Sequence, residues 1–172
     1  MKKNYENPDF ISKHKNEDDA GRRNAENSIK ELLDSESFAV LSTQGEGQPY
    51  SSLISFACTD DLKKLVFATP SDTRKFSLIT QSGRVSILID NRSEGHESLN
   101  RLCAVTVTGR ASVVKDKSEA EKWKKSLIKA HPYLEAFVKA GSSAVILVDA
   151  ERYFFVKRFQ EVIEWSPDIS IV

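Results

Sequence analysis

The stretch Lys64–Asp90, KLVFATPSDTRKFSLITQSGRVSILID, decides the fold because it contains three elements and the boundaries between them. Its first apolar run predicts a strand that Pro70 ends, since proline cannot donate a hydrogen bond to a neighbouring strand. The following amphipathic segment predicts a short helix that ends at Gly83. Alternating apolar residues then predict a second strand, Arg84–Asp90. The face of this strand that we expect to be buried consists of Val85, Ile87 and Ile89.

The helix in this stretch begins with hydroxyl groups and two cations. Ser71 or Asp72 is the expected N-cap, and Thr73, Arg74 and Lys75 lie in the first turn. A first turn exposes unpaired backbone N–H groups and the positive end of the helix dipole, so it attracts phosphate groups and other anions. Cations at this end do not stabilise the helix itself. They predict either a bound anion or two solvent-exposed surface charges.

On the N-terminal side of this unit, the sequence predicts one helix and a hairpin. The helix begins near Asp19, and its apolar residues recur at helical spacing, which predicts a face that docks on the sheet. Two strands, Phe38–Thr43 and Pro49–Cys58, flank a turn at Gly45–Gln48 and predict a β-hairpin. The expected docking face of the helix consists of Ala25, Ile29, Leu32 and Leu33.

On the C-terminal side, strands again outnumber helices. Residues 91–100 are polar and predict a loop, whereas the alternation in Arg101–Val114 predicts a long strand with one buried face. Ser118 and Glu121 match a capping box, which predicts the start of a helix that Pro132 ends. A further helix, Tyr133–Lys139, is expected to end at Gly141, and the remaining expected strands are Ala144–Asp149, Arg152–Phe159 and Glu161–Trp165.

This order of elements predicts a mainly β protein, an antiparallel β-barrel with flanking helices. At 172 residues, of which 40% are hydrophobic, the chain is long enough to bury one good core. Residues 1–18 are polar, and we expect them to form a flexible N-terminal arm. We expect residues 19–172 to form a single domain.

The composition argues against several classes of function. The 25 basic and 25 acidic residues balance, so no basic excess indicates nucleic-acid binding. No segment resembles a membrane span or a signal peptide, and we therefore expect no membrane partner and a cytoplasmic location. Cys58 and Cys103 are isolated, and the histidines (His14, His96 and His131) are scattered without metal-binding spacing. We expect no metal site, and no motif identifies a catalytic residue.

Two segments, VFATPSDTRKFSLITQSGRVSILI (66–89) and VTVTGRASVV (105–114), resemble the core of the pyridoxamine 5′-phosphate oxidase-related proteins, the FMN-binding split barrels. The most specific part is a threonine followed, after three residues, by Thr-Arg-Lys at the start of a helix. The resemblance extends from about Glu31 to about Trp165. It implies a split-barrel fold, FMN as the cofactor, and a homodimer with the flavin sites at the subunit interface.

The resemblance also implies which residues hold FMN. The family's phosphate-binding hydroxyl, arginine and lysine correspond to Thr73, Arg74 and Lys75. The positions implied along the ribityl chain and the ring are Ala68 and Thr69 on one strand, and Ser51, Ser52, Leu53 and Ile54 on an earlier one. Asn91 is a further expected ring contact, and Trp165 is expected either to cover the flavin, as C-terminal aromatic residues do in some relatives, or to lie in the core.

The implied function is a flavin-dependent oxidoreductase that acts on an unidentified small molecule, with FMN supplying the redox chemistry. The oxidase proper differs from this chain at three places. It has an aromatic residue at the position of Ala68, a glutamine near Ala104, and a substrate-binding Arg and His motif that has no match after Trp165. We therefore do not predict the oxidation of pyridoxamine phosphate. A flavin-binding protein without turnover is one alternative.

A second resemblance gives another alternative. The segments AHPYLEAFVKAG (130–141) and AVILVDAERYFFVKRFQEV (144–162) are similar to haem-utilisation relatives, which carry His-Pro before a helix and bind haem on the same barrel. Many of those relatives have an additional C-terminal domain without a counterpart here. The sequence thus leaves a haem-binding protein open beside the flavoprotein.

Overall fold

The computed structural model describes residues 19–92, 101–157 and 161–167 of the chain. The helices are α1 (Asp19–Ser35), α2 (Arg74–Ser82), α3 (Lys117–Ala130) and α4 (Glu135–Lys139). The strands are β1 (Ala39–Gly45), β2 (Gln48–Ile54), β3 (Phe56–Cys58), β4 (Lys64–Pro70), β5 (Arg84–Asp90), β6 (Ala104–Val113), β7 (Ser143–Lys157) and β8 (Glu161–Trp165). The predicted N-terminal arm, most of the predicted loop at 91–100, and residues 158–160 lie outside the described part.

All strands belong to one antiparallel sheet with the order β2-β1-β5-β6-β7-β4-β3, and β8 pairs with β7. β2 and β3 stand at opposite ends of this order, although only Ser55 separates them in the chain. The sheet therefore curls back on itself, because its two ends are joined by consecutive residues. This architecture confirms the predicted antiparallel split barrel with flanking helices.

The core lies inside the barrel, and the alternation seen in the sequence defines it. Ile87 of β5 pairs with Val107 of β6, Ile89 pairs with Val105, and all four side chains are buried. The predicted face of α1 is buried in the same cluster, and it comprises Ala25, Ile29, Leu32 and Leu33. Both predictions are confirmed because apolar side chains repeating at the strand or helix period gain most by facing one core.

Two strand predictions are wrong. The predicted strand Pro49–Cys58 is two strands that pair with different partners, β1 and β4, because closing the barrel requires a change of direction at Ser55. The two predicted strands 144–149 and 152–159 form one continuous strand, β7, which ends at Lys157. Thr108 pairs with Arg152 and Gly109 with Ala150, so Glu151 is an extra residue in a β-bulge rather than part of a turn.

The ends of three helices also differ from the predictions. Thr73, not Ser71 or Asp72, is the N-cap of α2. Asp116, not Ser118, caps α3, where its carboxylate accepts a hydrogen bond of 2.8 Å from a backbone N–H of the first turn. A one-turn 3₁₀ helix, Pro132–Leu134, precedes α4. The C-cap of α4 is Ala140, which is extended, and Gly141 does not form the predicted left-handed cap.

Candidate functional site

Thr73 sits at the junction of β4 and α2 and is held there by several hydrogen bonds. Its hydroxyl oxygen accepts a bond from the Phe76 N–H and donates one of 2.9 Å to the Pro70 carbonyl. It also lies 3.0 Å from the hydroxyl of Thr69, which is buried at the end of β4. The start of α2 is therefore fixed against the sheet, and Arg74 and Lys75 are its first two residues.

Both cations of the first turn of α2 contact strand β2. The Lys75 ammonium group donates a hydrogen bond of 3.1 Å to the Leu53 carbonyl, and partial burial lowers the pKa of Lys75. The Arg74 guanidinium lies over the ring of Tyr50, 5.2 Å from its centroid. Among the residues that the structure describes, no carboxylate pairs with either cation. Their positive charge remains available to an anion.

A cleft of about 160 Å³ opens beside this helix start. The Thr69 and Thr73 hydroxyls and the Lys75 ammonium group form its polar part, at the positive end of the α2 dipole. The remaining lining is mostly apolar, and it consists of Leu53, Ile54, Ser55, Ala68, Pro70, Leu127, Leu134, Phe137 and Val138. The cleft thus offers donors for an anionic group beside an apolar surface for a carbon skeleton.

The far wall of the cleft, residues 127–138, comes from the end of α3, the 3₁₀ turn and α4. Leu127 and Val138 are buried in a second apolar cluster on the outside of the barrel. His131 is also buried, and its Nε2 lies 2.6 Å from the Phe56 carbonyl oxygen. His131 is therefore the C-cap of α3, and it also ties the wall to the strand that follows Ser55.

The structure brings together six of the residues implied by the resemblance: Leu53, Ile54, Ala68, Thr69, Thr73 and Lys75. Arg74 lies at the start of α2 beside them but does not line the cleft, because its guanidinium lies over Tyr50. The other four residues lie elsewhere in this chain. Ser51 and Ser52 lie further along β2, outside the cleft lining, and the Ser51 hydroxyl is 3.3 Å from that of Ser42. The Asn91 side chain bonds backbone groups of Arg101 and Cys103. Trp165 is buried against Tyr153, with 5.3 Å between the ring centroids.

Two parts of the site were missed by the sequence analysis. Tyr50 contacts Arg74 although 24 positions separate them, and no local pattern links the two residues. The sequence of the wall, residues 127–138, has an ordinary amphipathic pattern. Such a pattern predicts that one face of a helix is buried, but not which strand it packs against. The His-Pro pair at 131–132 was the one indication of this wall in the sequence, because it marks the end of α3 and the start of the 3₁₀ turn.

Neither Cys58 nor Cys103 is disulfide-bonded, and Cys58 does not have the environment of a nucleophile. Burial raises the pKa of the Cys58 thiol to about 12, so the reactive thiolate is suppressed.

In residues 19–92, 101–157 and 161–167 there is no group of three or more His, Cys, Asp or Glu side chains that is arranged to hold a metal ion. Within the same ranges, no helix combines the length and hydrophobicity needed to cross a membrane. The cleft is the strongest candidate site.

Comparisons with known proteins agree with this fold. The family model described as pyridoxamine 5′-phosphate oxidase matches residues 25–157. A *Clostridium acetobutylicum* protein of the pyridoxinephosphate oxidase family, related to general stress protein 26, is 16% identical; the match covers 83% of this chain and 94% of that one, with a TM-score of 0.65. None of the curated proteins matches the sequence at a significant level.

Two further solved structures share the fold but differ in the ligands that their names give. A haem-binding protein from *Mycobacterium smegmatis* is 16% identical with a TM-score of 0.74; the match covers 84% of this chain but only 58% of that one. An FAD-binding protein from *Mesorhizobium loti* is 17% identical with a TM-score of 0.61; the match covers 74% of this chain and 91% of that one. At these identities the likeness concerns the fold alone.

Proposed function

Because this chain belongs to the pyridoxamine 5′-phosphate oxidase family, we propose that it is a flavoprotein that binds FMN in the cleft beside α2. One observation carries the proposal. A hydroxyl and two cations open α2, and no described carboxylate neutralises the cations. Thr73 and Lys75 line the polar part of a cleft that is otherwise mostly apolar, and Arg74 stands between them on the helix with its guanidinium over Tyr50. Such an arrangement suits a dianionic group attached to a large apolar ring.

The residues present fit the phosphate end of FMN. Lys75 offers an ammonium group, and Arg74 offers a fork of N–H donors that matches two phosphate oxygens. The Thr73 hydroxyl would donate to the phosphate after its single proton turns away from the Pro70 carbonyl, to which it donates in this structure. The free N–H groups of the first turn of α2 add further donors. The Lys75 ammonium has three N–H donors, so it can keep its bond to the Leu53 carbonyl while it donates another to the phosphate. When bound, FMN supplies the redox chemistry.

The remaining implied contacts belong to the same proposal. Ala68 and Thr69 would lie along the ribityl chain, and Leu53 and Ile54 would meet the ring. Ser51, Ser52 and Asn91 stay proposed ring contacts that a second subunit would have to bring into reach. Trp165 stays a proposed ring contact only if it also turns out of the core, where it is packed against Tyr153. The function that we propose is a cytoplasmic, FMN-dependent oxidoreductase that acts on a small molecule.

We propose that the working unit is a homodimer, because one chain provides too little space. Pockets for ligands of this size measure about 300–1,000 Å³, whereas the cleft holds about 160 Å³. Strand pairing also places a strip of partly exposed side chains on the outer face of the sheet. This outer strip consists of Leu53, Val40, Leu88, Thr106 and Phe154. Leu53 belongs to both the strip and the cleft, so a second copy packed on the strip would complete the site.

We expect Leu53→Asp to dissociate the dimer and to weaken FMN binding together. Leu53 is 62% exposed in the single chain, so the fold should tolerate the carboxylate. At a subunit interface, however, an unpaired charge is costly, and we expect a loss of about 2 kcal/mol or more in dimer affinity. Sedimentation velocity over a concentration series measures the dimer, and flavin fluorescence measures FMN binding. Ser112→Asp, an exposed position on β6, provides a control with the same charge change.

The dimer proposal fails if Leu53→Asp sediments as the wild-type protein does at every concentration. If the variant is monomeric and still binds FMN with wild-type affinity, the dimer stands but the partner does not complete the site. If Ser112→Asp dissociates to the same extent, the effect of charge is general and the outer strip is not the interface.

Haem binding on the same barrel is the second candidate, because the *Mycobacterium smegmatis* haem-binding protein shares the fold. One observation counts against it. The described lining of the cleft contains no His, Cys, Met or Tyr to ligate haem iron. His131 of the His-Pro pair is buried, and its Nε2 already lies at hydrogen-bond distance from the Phe56 carbonyl. FMN is therefore the better supported ligand.

Titration of the purified full-length chain with FMN, riboflavin and haemin tests the function directly. We expect FMN fluorescence to be quenched at lower protein concentration than riboflavin fluorescence, because only FMN carries the phosphate that the α2 cations would hold. Consumption of NADH or NADPH by the FMN-loaded protein would separate a reductase from a passive carrier. A Soret band on haemin titration without any FMN binding would overturn the proposal in favour of the second candidate.

A further inference from the structure

We propose that Tyr50 is a positioning residue for the cofactor phosphate, acting through Arg74. This inference rests on the proposed FMN site and adds a residue from a different strand to it. Arg74 is exposed on α2, and a free arginine side chain has many rotamers. Its guanidinium lies 5.2 Å from the centroid of the Tyr50 ring, close enough for a cation–π contact. The contact holds the charge at the start of α2.

The backbone of Tyr50 is itself anchored. Tyr50 pairs with Thr43 across the β1–β2 hairpin, and the Thr43 hydroxyl donates a hydrogen bond of 3.2 Å to the Tyr50 carbonyl. Thr43 is only 3% exposed, so this bond is shielded from water. Tyr50 is partly buried and lies on a strand whose register is fixed by seven paired residues. The strand therefore fixes the backbone position from which the Tyr50 ring reaches Arg74.

A cation–π contact leaves the guanidinium able to bind a phosphate. A guanidinium that rests on an aromatic ring by one of its faces keeps its N–H donors free, because they point outward along the edges of the guanidinium plane. The guanidinium can therefore stay on the ring while its fork of donors meets two phosphate oxygens. An ion pair with a carboxylate would instead occupy those donors, and none of the described carboxylates forms one with Arg74.

The same strand holds the second cation, which supports a common purpose. Lys75 donates to the Leu53 carbonyl, three residues after Tyr50 on β2. Both charges at the start of α2 are thus held by β2 before any anion arrives. Because Tyr50 already restricts the Arg74 side chain in the free protein, Arg74 loses less conformational entropy when it binds the phosphate. The affinity for the phosphate is therefore higher.

The experiment compares Tyr50→Leu with Tyr50→Phe, using FMN and riboflavin as probes. Leucine removes the aromatic face, and we expect FMN to bind about two- to fivefold more weakly. Phenylalanine keeps the face and should restore most of the affinity. Riboflavin lacks the phosphate, so its affinity should be unchanged in both variants. Equal losses for FMN and riboflavin would overturn the proposal, since they would mean that Tyr50 contacts the ring or merely shapes the cleft.

A double-mutant cycle separates this inference from the proposed function. In an Arg74→Ala background we expect Tyr50→Leu to have no further effect on FMN binding, because the residue through which it acts is absent. The same loss in both backgrounds would overturn the positioning role. If the wild-type protein binds no FMN, the proposed function fails and this inference fails with it; if Arg74→Ala weakens FMN but Tyr50→Leu does not, only the inference fails.

Discussion

Replacing both Arg74 and Lys75 by alanine is expected to weaken FMN binding by about 3–6 kcal/mol, taking about 1.5–3 kcal/mol for each hydrogen bond to a charged group. The fold should survive, because Arg74 is exposed, Lys75 is only partly buried, and alanine favours helix. Thr73 keeps its capping bond in the variant, so the start of α2 remains in place. Flavin fluorescence titration measures the affinity, and thermal unfolding without cofactor checks the fold.

The matched control is Lys125→Ala with Lys129→Ala on α3. This pair removes the same charge from an exposed helix face that does not line the cleft. We expect its FMN affinity to stay close to that of the wild type. Riboflavin should bind all three proteins alike, because it has no phosphate. Wild-type FMN affinity in the Arg74, Lys75 double variant would refute the assignment of these cations to the phosphate.

Gly109→Ala is expected to destabilise the fold by about 3 kcal/mol or more. A Cβ atom at this position would lie 2.2 Å from the carbonyl oxygen of Asp149 and 3.1 Å from its carbonyl carbon. Both atoms belong to the backbone at the β-bulge of β7, so a side-chain rotation cannot relieve the clash. Urea denaturation of the cofactor-free protein, followed by circular dichroism, measures the change in the free energy of unfolding.

Gly141→Ala provides the comparison for this substitution. Gly141 is exposed, its φ is not positive, and a Cβ atom there meets no heavy atom within 4 Å. We expect a change within about 1 kcal/mol, in the stabilising direction because alanine restricts the unfolded chain. If both alanine variants unfold at the same urea concentration, the close backbone approach at Gly109 is not what requires glycine there.

The parts of the fold that the sequence predicted correctly depend on local patterns. The alternation in Arg84–Asp90 and the left-handed glycine at Gly83, with φ of 65°, specify a strand and a helix end without reference to the rest of the chain. The wrong predictions concern which strands pair with each other and in what register. No pattern in the residues around Ser55 indicates that the strand before it pairs with β1 and the strand after it with β4. No pattern before Arg152 indicates that Glu151 is the extra residue of a bulge in β7, opposite β6. Such features follow from barrel closure.

The candidate site divides in the same way. Thr73, Arg74 and Lys75 were predicted because three neighbouring residues of suitable chemistry stand at one helix start. Tyr50 and the wall at 127–138 were not predicted, since the tertiary fold alone brings them there. Asn91 and Trp165 remain predictions as ring contacts, because a single chain keeps them away from the cleft.

The meeting of the two sheet ends at Ser55 has a mechanical consequence for whatever occupies the cleft. Leu53 and Ile54 precede this seam, and the His131 contact to Phe56 follows it. A molecule bound between β2 and the wall at 127–138 therefore connects one end of the sheet to the wall that is tied to the other end, and these two ends are not hydrogen-bonded to each other. Its binding energy adds to the cohesion of the whole domain, so cofactor loading and resistance to unfolding rise and fall together.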